Sequence, residues 1–200
     1  MFKNTLLQAT EAGAVELRRF FNGSFTISSK ASINDLVTEA DHASEKAIFS
    51  VIQKNFPDHF ILSEETGALP QDSDYKWIID PIDGTVNYFY NHPYWAISIG
   101  VEVDGEIQVG VVAAPLLHET FYAIKGGGAF VLHDGVKKKL QTNSGASIEK
   151  ALLSTGFGYD PERRKKQGAL LAEIVAIARD VRRAGAAALD FCYVAAGRLD

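Results

Sequence analysis

The run Trp77-Ile78-Ile79-Asp80-Pro81-Ile82-Asp83-Gly84-Thr85 changes character halfway along its length. A short apolar segment ends in two carboxylates three residues apart, split by a proline and followed by glycine and threonine. That order suits a β-strand that leaves the core and presents acidic side chains at its exposed end. Pro81 fixes its own φ, has no N–H to donate and biases Asp80 away from helix, so the backbone is stiff where the acids converge. Gly84 and Thr85 add amide N–H groups and a hydroxyl beside those acids, at a helix start suited to an anion. Read alone, the same nonamer also fits an acidic turn that caps a helix.

Working outward, Phe60-Ile61-Leu62-Ser63 is a second short strand that runs straight into acid, Glu64-Glu65, before Gly67 and Pro70 mark a loop. Two strands that end in carboxylates indicate a shared site. Upstream, Leu6, Ala9, Gly13, Leu17 and Phe20 recur at helical spacing and predict an amphipathic helix over residues 6–21, ended by Asn22-Gly23-Ser24. A polar stretch through Lys30 and Asn34 reads as loop or irregular strand. Thr38, three residues before Asp41, opens a second helix with a buried stripe of Ala47, Ile48, Val51 and Ile52, closed by Pro57.

Downstream, residues 95–103 and 106–114 are β-rich runs joined by Asp104-Gly105, a strong hairpin signal. Residues 119–124 continue the antiparallel sheet, Gly126-Gly127-Gly128 reads as a sharp turn, and Asp134-Gly135 as another hairpin. Lys137-Lys138-Lys139 then forms a solvated edge. Polar residues 141–147 divide the chain into an N-terminal metal-binding α+β lobe, residues 1–145, and a C-terminal α/β lobe, residues 146–200. In the latter, residues 152–154 read as a strand and 161–179 as a helix with Leu170, Leu171, Ile174, Val175 and Ile177 inward. Residues 186–196 read as an alanine-rich helix able to approach a neighbour closely.

With 46% hydrophobic and 22% charged residues among 200, the composition is that of an ordinary globular chain. A net charge of −5 argues against a nucleic-acid partner, and an acidic chain that handles phosphate esters needs cations to bridge the repulsion. Cys192 is the sole cysteine, which excludes an intrachain disulfide and a thiolate zinc cluster. The N-terminus has no signal-peptide pattern and no apolar run reaches membrane-spanning length, so no membrane partner and a cytoplasmic location are expected.

Glu64, Asp80 and Asp83 are hard oxygen donors of the type Mg²⁺ or Mn²⁺ prefers, whereas His42, His59, His92, His118 and His133 are scattered and read as surface or loop residues. Asp80 could bridge two ions, with Glu64 and the Ile82 carbonyl in one shell and Asp83 in the other. Such a pair would polarise a phosphoryl group and acidify an attacking water. Asp41 and Thr85 could take up the proton released, or they could merely cap their helices. Lys30 is a further candidate beside a bound anion. Arg163-Arg164-Lys165-Lys166 reads as solvated charge.

Four segments, Asp35-Leu36-Val37-Thr38-Glu39-Ala40-Asp41, Ser63-Glu64-Glu65-Thr66, Trp77 to Thr85 with Asn87, and Gly185-Ala186-Ala187-Ala188-Leu189-Asp190, resemble in order the successive motifs of the inositol monophosphatase family. The resemblance implies a layered α/β sandwich of alternating helices and sheets, of the inositol monophosphatase and fructose-1,6-bisphosphatase type. It also implies a Mg²⁺-dependent, lithium-sensitive phosphomonoesterase that is often a homodimer. By the same resemblance Glu64, Asp80 and the Ile82 carbonyl hold one Mg²⁺, Asp80 and Asp83 a second, and Lys30 lies near a weak third position. Asp83 and the Gly84 and Thr85 amides hold the phosphate. Thr85, Asp41 and Glu64 act in catalysis, and Gly185, Ala186 and Ala187 line the substrate alcohol. The implied substrate is a small phosphorylated polyol, first myo-inositol 1-phosphate. Histidinol phosphate, fructose 1,6-bisphosphate and 3′-phosphoadenosine 5′-phosphate are the alternatives.

Two departures stand out. Tyr90 and Asn91 occupy positions where family members often carry histidine and glycine. The sequence also stops at Gly197-Arg198-Leu199-Asp200, before the family's substrate-facing acid and the Trp-Asp element that completes the second metal shell. The C-terminal lobe is therefore expected to be incomplete. Read as a whole protein, the chain is expected to bind its second metal weakly, or to be a non-catalytic metal- or partner-binding protein.

Overall fold

Two helices, α1 (Phe2–Phe20) and α2 (Glu39–Asn55), begin the chain in a computed structural model that describes residues 2–21, 23, 27–29, 36–143 and 145–200. The candidate Lys30 and the first motif residue, Asp35, lie outside the described residues. Between the helices, β1 (Ile27–Ser29) and β2 (Leu36–Thr38) pair antiparallel. Next come β3 (Phe60–Ser63), β4 (Gly67–Leu69), β5 (Tyr75–Asp83), the short helix α3 (Thr85–Phe89), β6 (Ala96–Val103), β7 (Glu106–Ala114), β8 (Glu119–Ile124), β9 (Gly128–His133) and β10 (Val136–Lys139). These eight strands make one sheet in the order β10-β9-β8-β7-β6-β5-β3-β4. β3 and β5 run parallel, and the remaining neighbours are antiparallel. Beyond the sheet, β11 (Leu152–Ser154) pairs parallel with β12 (Asp180–Arg182) around α4 (Pro161–Val175), and α5 (Ala187–Ala195) follows.

The layering follows from alternation along the strands. Trp77 and Ile79 of β5 and Ile97, Ile99 and Val101 of β6 are buried with Leu6 and Leu17 of α1 and Ile48 and Ile52 of α2. Each such side chain contributes about 1.5–3 kcal/mol by leaving water. On the opposite face a smaller cluster joins Ala96, Ala114, Phe121 and Val131 to Ala186 and Leu189, so α5 covers part of the second side. The central sheet is thus flanked by helices, as expected for a layered α/β sandwich. Both Asp-Gly hairpins form: Asp104 and Gly105 adopt φ of 51° and 78°, Asp134 and Gly135 46° and 79°, matching the twist of the flanking strands. The lysines of β10 lie exposed on the sheet edge.

Two expectations change: the loop expected from Gly67 begins as the strand β4, and the helix of the C-terminal part is shorter than expected. The helix expected over residues 161–179 ends at Val175, residues 176–179 form turns and bends, and β12 follows. Its supposed inward stripe is not buried: Leu170, Val175 and Ile177 are 57%, 57% and 52% exposed. The two-stranded pair is too narrow to cover that face, leaving a groove of about 180 Å³ between Leu153, Val181, Leu171 and Ile174. His59, read as a surface or loop residue, lies in the loop between α2 and β3 and is half-buried. Its imidazole stacks between Phe56 and Tyr75, both at 4.6 Å, and its Nδ1 accepts a hydrogen bond from Trp77 Nε1 at 3.0 Å. Burial lowers its pKa and favours the neutral ring that this bond requires. No helix among the described residues is long and apolar enough to cross a membrane.

Gly13 sets how closely α1 approaches α2. A Cβ there would come within 2.8 Å of Ser44 Oγ and 3.0 Å of Ile48 Cδ1. Ser44 is buried and donates to the Pro81 carbonyl at 3.3 Å, so the helix crossing is connected to the acidic turn. Gly13→Ala should therefore destabilise the protein by about 1–3 kcal/mol, despite the better helix propensity of alanine. Urea unfolding of the two proteins measures the difference.

Candidate active site

Parallel pairing brings the two acidic strand ends together. Ser63 lies opposite Ile79, and the Glu64 N–H donates to the Ile79 carbonyl at 3.0 Å, so Glu64 emerges beside Asp80. On the other side of β5 the register with β6 shifts between Asp80 and Asp83. Pro81 cannot donate to the ladder, and the strand bulges there. Asp80 Oδ1 accepts the Ile82 N–H at 3.1 Å across the bulge.

The electrostatics of this corner are one-sided. Asp80 is pushed up to about 9, first by burial and then by the charges of Glu64 and Asp83, with a hydrogen bond to Glu64 adding to the effect. Asp83 is pushed up to about 6 by burial, against the pull of the Ala188 and Ala187 amides, with Asp190 and Glu64 raising it further. Those amides donate to Asp83 Oδ2 and Oδ1 at 2.6 and 3.2 Å, so Asp83 caps the first turn of α5. The helix-capping reading and the acidic-site reading therefore meet in one residue.

Glycine is demanded at two points. Gly84 has φ of 95°, and a Cβ would meet Ala186 Cβ and the Tyr94 carbonyl at 3.2 Å and the Gly185 carbonyl at 3.3 Å. Gly185, with φ of 102°, lies against Asn87 and Arg183. The next residue, Thr85, donates its hydroxyl to the Ile82 carbonyl at 3.0 Å and stands 3.5 Å from Oδ1 of the fully buried Asp41. The structure thus gathers Asp41, Glu64, Asp80, Ile82, Asp83, Gly84, Thr85, Gly185, Ala186 and Ala187 in one corner.

Three residues of the corner escaped the assignment of roles. Asn87 Nδ2 donates to the carbonyls of Tyr94 and Ala184 at 2.7 and 2.8 Å, and Tyr94 donates its hydroxyl to Asp190 Oδ1 at 2.8 Å. Asp190 carried a signal, being a single acid on an otherwise apolar helix that needs a polar partner. Tyr94 carried none.

Could the corner hold a cation? Among the described residues no three His, Cys, Asp or Glu side chains stand in a ready coordination shell. The chemistry of the donors nevertheless fits a hard divalent ion, because the neighbouring charges that bear on Asp80 are the anions Glu64 and Asp83. An apolar groove of about 350 Å³ between α5 and the sheet, lined by Gly100, Gly110, Val112, Phe121 and Cys192 among others, has no carboxylate in its lining.

Solved structures with the same architecture define the class first. The chain superposes on the extragenic suppressor protein suhB from Bartonella henselae with a TM-score of 0.92 at 33% identity, covering 100% of this chain and 76% of that one. It matches the Thermotoga maritima IMPase at 0.86 and 34%, covering 97% and 72%. The fold is that of the inositol monophosphatase and fructose-1,6-bisphosphatase group. The model of the inositol monophosphatase family matches residues 2–200, and the chain belongs to that family. It is 40% identical to the Nus factor SuhB of Haemophilus influenzae, covering 100% of this chain and 74% of that protein. It is equally identical to the inositol-1-monophosphatase SuhB of Mycobacterium tuberculosis, covering 92% and 65%. The chain thus spans between about two thirds and three quarters of these relatives' lengths.

A cation held by Asp80 would displace the proton that burial keeps on its carboxyl. Adding Mn²⁺ to chelator-treated protein at pH 7 should release about one proton per chain, read by calorimetry in two buffers of different ionisation enthalpy. Asp80→Asn should abolish the release. Without cations, the folding contribution of protonated Asp80 is complete below its ordinary value of 3.8 and is lost as pH rises towards about 9. The melting temperature of chelator-treated protein should fall across that window and recover with Mn²⁺.

Proposed function

We propose that this chain carries the active site of a Mg²⁺-dependent phosphomonoesterase acting on a small polyol phosphate, first myo-inositol 1-phosphate. The observation that carries this reading is the convergence of Glu64, Asp80 and Asp83 at two parallel strand ends, beside Gly84 and Thr85. Family membership and the relatives named inositol-1-monophosphatase support a phosphatase. Glu64, Asp80, Asp83 and the Ile82 carbonyl would hold two or three Mg²⁺, or Mn²⁺, whose role is to polarise the phosphoryl group and the attacking water.

The protein's own groups do the rest. The Gly84 and Thr85 amides bind phosphate oxygens, and Asp83 orients the ester. Glu64 sets the position of the attacking water. The Thr85 hydroxyl, turned from the Ile82 carbonyl towards Asp41, takes a proton from that water while passing its own to Asp41, whose burial keeps bulk solvent from competing. Gly185 and Ala187 form a wall of small residues against the alcohol, with the buried Ala186 behind them. The leaving oxygen takes a proton from solvent water as the attacking water adds in line. Histidinol phosphate, fructose 1,6-bisphosphate and 3′-phosphoadenosine 5′-phosphate are alternative esters. The reading includes inhibition by lithium, a homodimer, a cytoplasmic location, and a division into lobes near residue 145, with the acids in the first lobe and α5 in the second.

A second reading, a metal-retaining protein that serves by binding a partner, is favoured by the relatives named Nus factor SuhB. Phosphate release from myo-inositol 1-phosphate by purified protein, with and without Mg²⁺, separates the two. Asp83→Asn should lower kcat/KM by at least about 100-fold. A rate unaffected by that substitution would sink the phosphatase mechanism.

A further inference from the structure

We infer that Tyr94 and Asp190 are positioning residues of this site, whose hydrogen bond holds the first turn of α5 and thereby sets where its amides place Asp83. The inference rests on the cation-dependent reading above. Asp190 lies one helical turn beyond Ala187, and its own N–H donates to the Ala186 carbonyl at 3.1 Å. A pull on Asp190 is therefore a pull on the turn that grips Asp83.

Tyr94 is suited to apply that pull because it is fixed at three points. Its carbonyl accepts from Asn87 at 2.7 Å and packs against Gly84. Its ring meets Tyr193 edge-on, with centroids 5.8 Å apart. Its hydroxyl reaches Asp190 at 2.8 Å, and burial together with Asp190 pushes the phenol pKa far above its ordinary range, so it stays a donor. The second N–H of Asn87 goes to the Ala184 carbonyl at 2.8 Å. The contacts thus close a ring through Asp83, α5, Asp190, Tyr94, Asn87 and Ala184, with Gly84 inside it.

The hydroxyl also occupies a charge. Asp190 is one of the anions that bear on Asp83. Bonded to Tyr94, its carboxylate is held by a donor. Without that donor, a half-buried anion beside Asp83 has to find another partner, and α5 shifts with it. Displacements of this kind, about 1 Å at a ligand, can cost up to 100-fold in function.

Tyr94→Phe removes one oxygen and leaves the ring. Calorimetric Mn²⁺ binding and melting temperature are measured beside phosphate release. The Mn²⁺ Kd of Tyr94→Phe should rise about five- to thirty-fold, while the protein stays folded. Asp190→Leu should match it, whereas Asp190→Asn, whose amide oxygen still accepts from Tyr94, should stay within about three-fold of the parent. Unchanged Mn²⁺ affinity in Tyr94→Phe, whatever its melting temperature, overturns the inference, as does an Asp190→Asn as impaired as Asp190→Leu. A parent protein that binds Mn²⁺ but hydrolyses no ester defeats the phosphatase reading and leaves the binding arm to decide this one. A parent that binds no Mn²⁺ overturns both.

Discussion

Two partly buried carboxylates, Asp80 and Asp83, and the exposed Glu64 meet at the ends of two adjacent strands, with their charges bearing on one another. Burying anions together is among the costliest arrangements a protein can make, and it persists only where surrounding structure enforces it. Here the enforcement is parallel pairing. Because β3 and β5 run the same way in neighbouring positions, their acidic ends emerge on the same rim of the sheet. An antiparallel neighbour would have sent Glu64 to the opposite rim.

The surrounding elements support that rim from several sides. Ser44 of α2 holds the Pro81 carbonyl where the strand bulges, and Asp41 of the same helix stands behind Thr85. From the other face α5 supplies two amides to Asp83, while Asn87 spans the gap between the strand and the turn before α5. The core under the rim is built from large rigid groups: Trp77, Trp95 and Tyr88 are all fully buried. Tyr88 and Trp95 meet edge-on at 5.1 Å, and the Tyr88 hydroxyl donates to the Leu17 carbonyl at 2.7 Å. The corner is therefore held to α1 as well as to the sheet.

Much of this was legible in the residues. The acid-terminated strands, the Asp-Gly hairpins and the apolar stripes of α1 and α2 depend on local periodicity and turn chemistry, which a sequence displays directly. The inward face assigned to α4 failed because periodicity shows that a helix has an apolar side but not whether enough sheet lies beside it. The role of His59 was hidden for a related reason, since its partners Phe56, Tyr75 and Trp77 come from three segments and give no spacing pattern. Tyr94 escaped because its function depends on a hydroxyl meeting Asp190, 96 residues away. Asp83 was legible as an acid with a task, yet its capping of α5 was not, because the amides it receives are backbone groups and have no residue type to read.

The capping of Asp83 also bears on how the protein folds. Its two hydrogen bonds join positions 104 and 105 residues apart, the sort of contact that forms late because a long loop must close before it returns any energy. Glu64 and Asp80, by contrast, meet through a pairing of strands close in sequence. During synthesis the first acids can assemble long before the last is held, so α5 works as the latch that closes the corner. A partly made chain would present these acids without Asp83 in its final place.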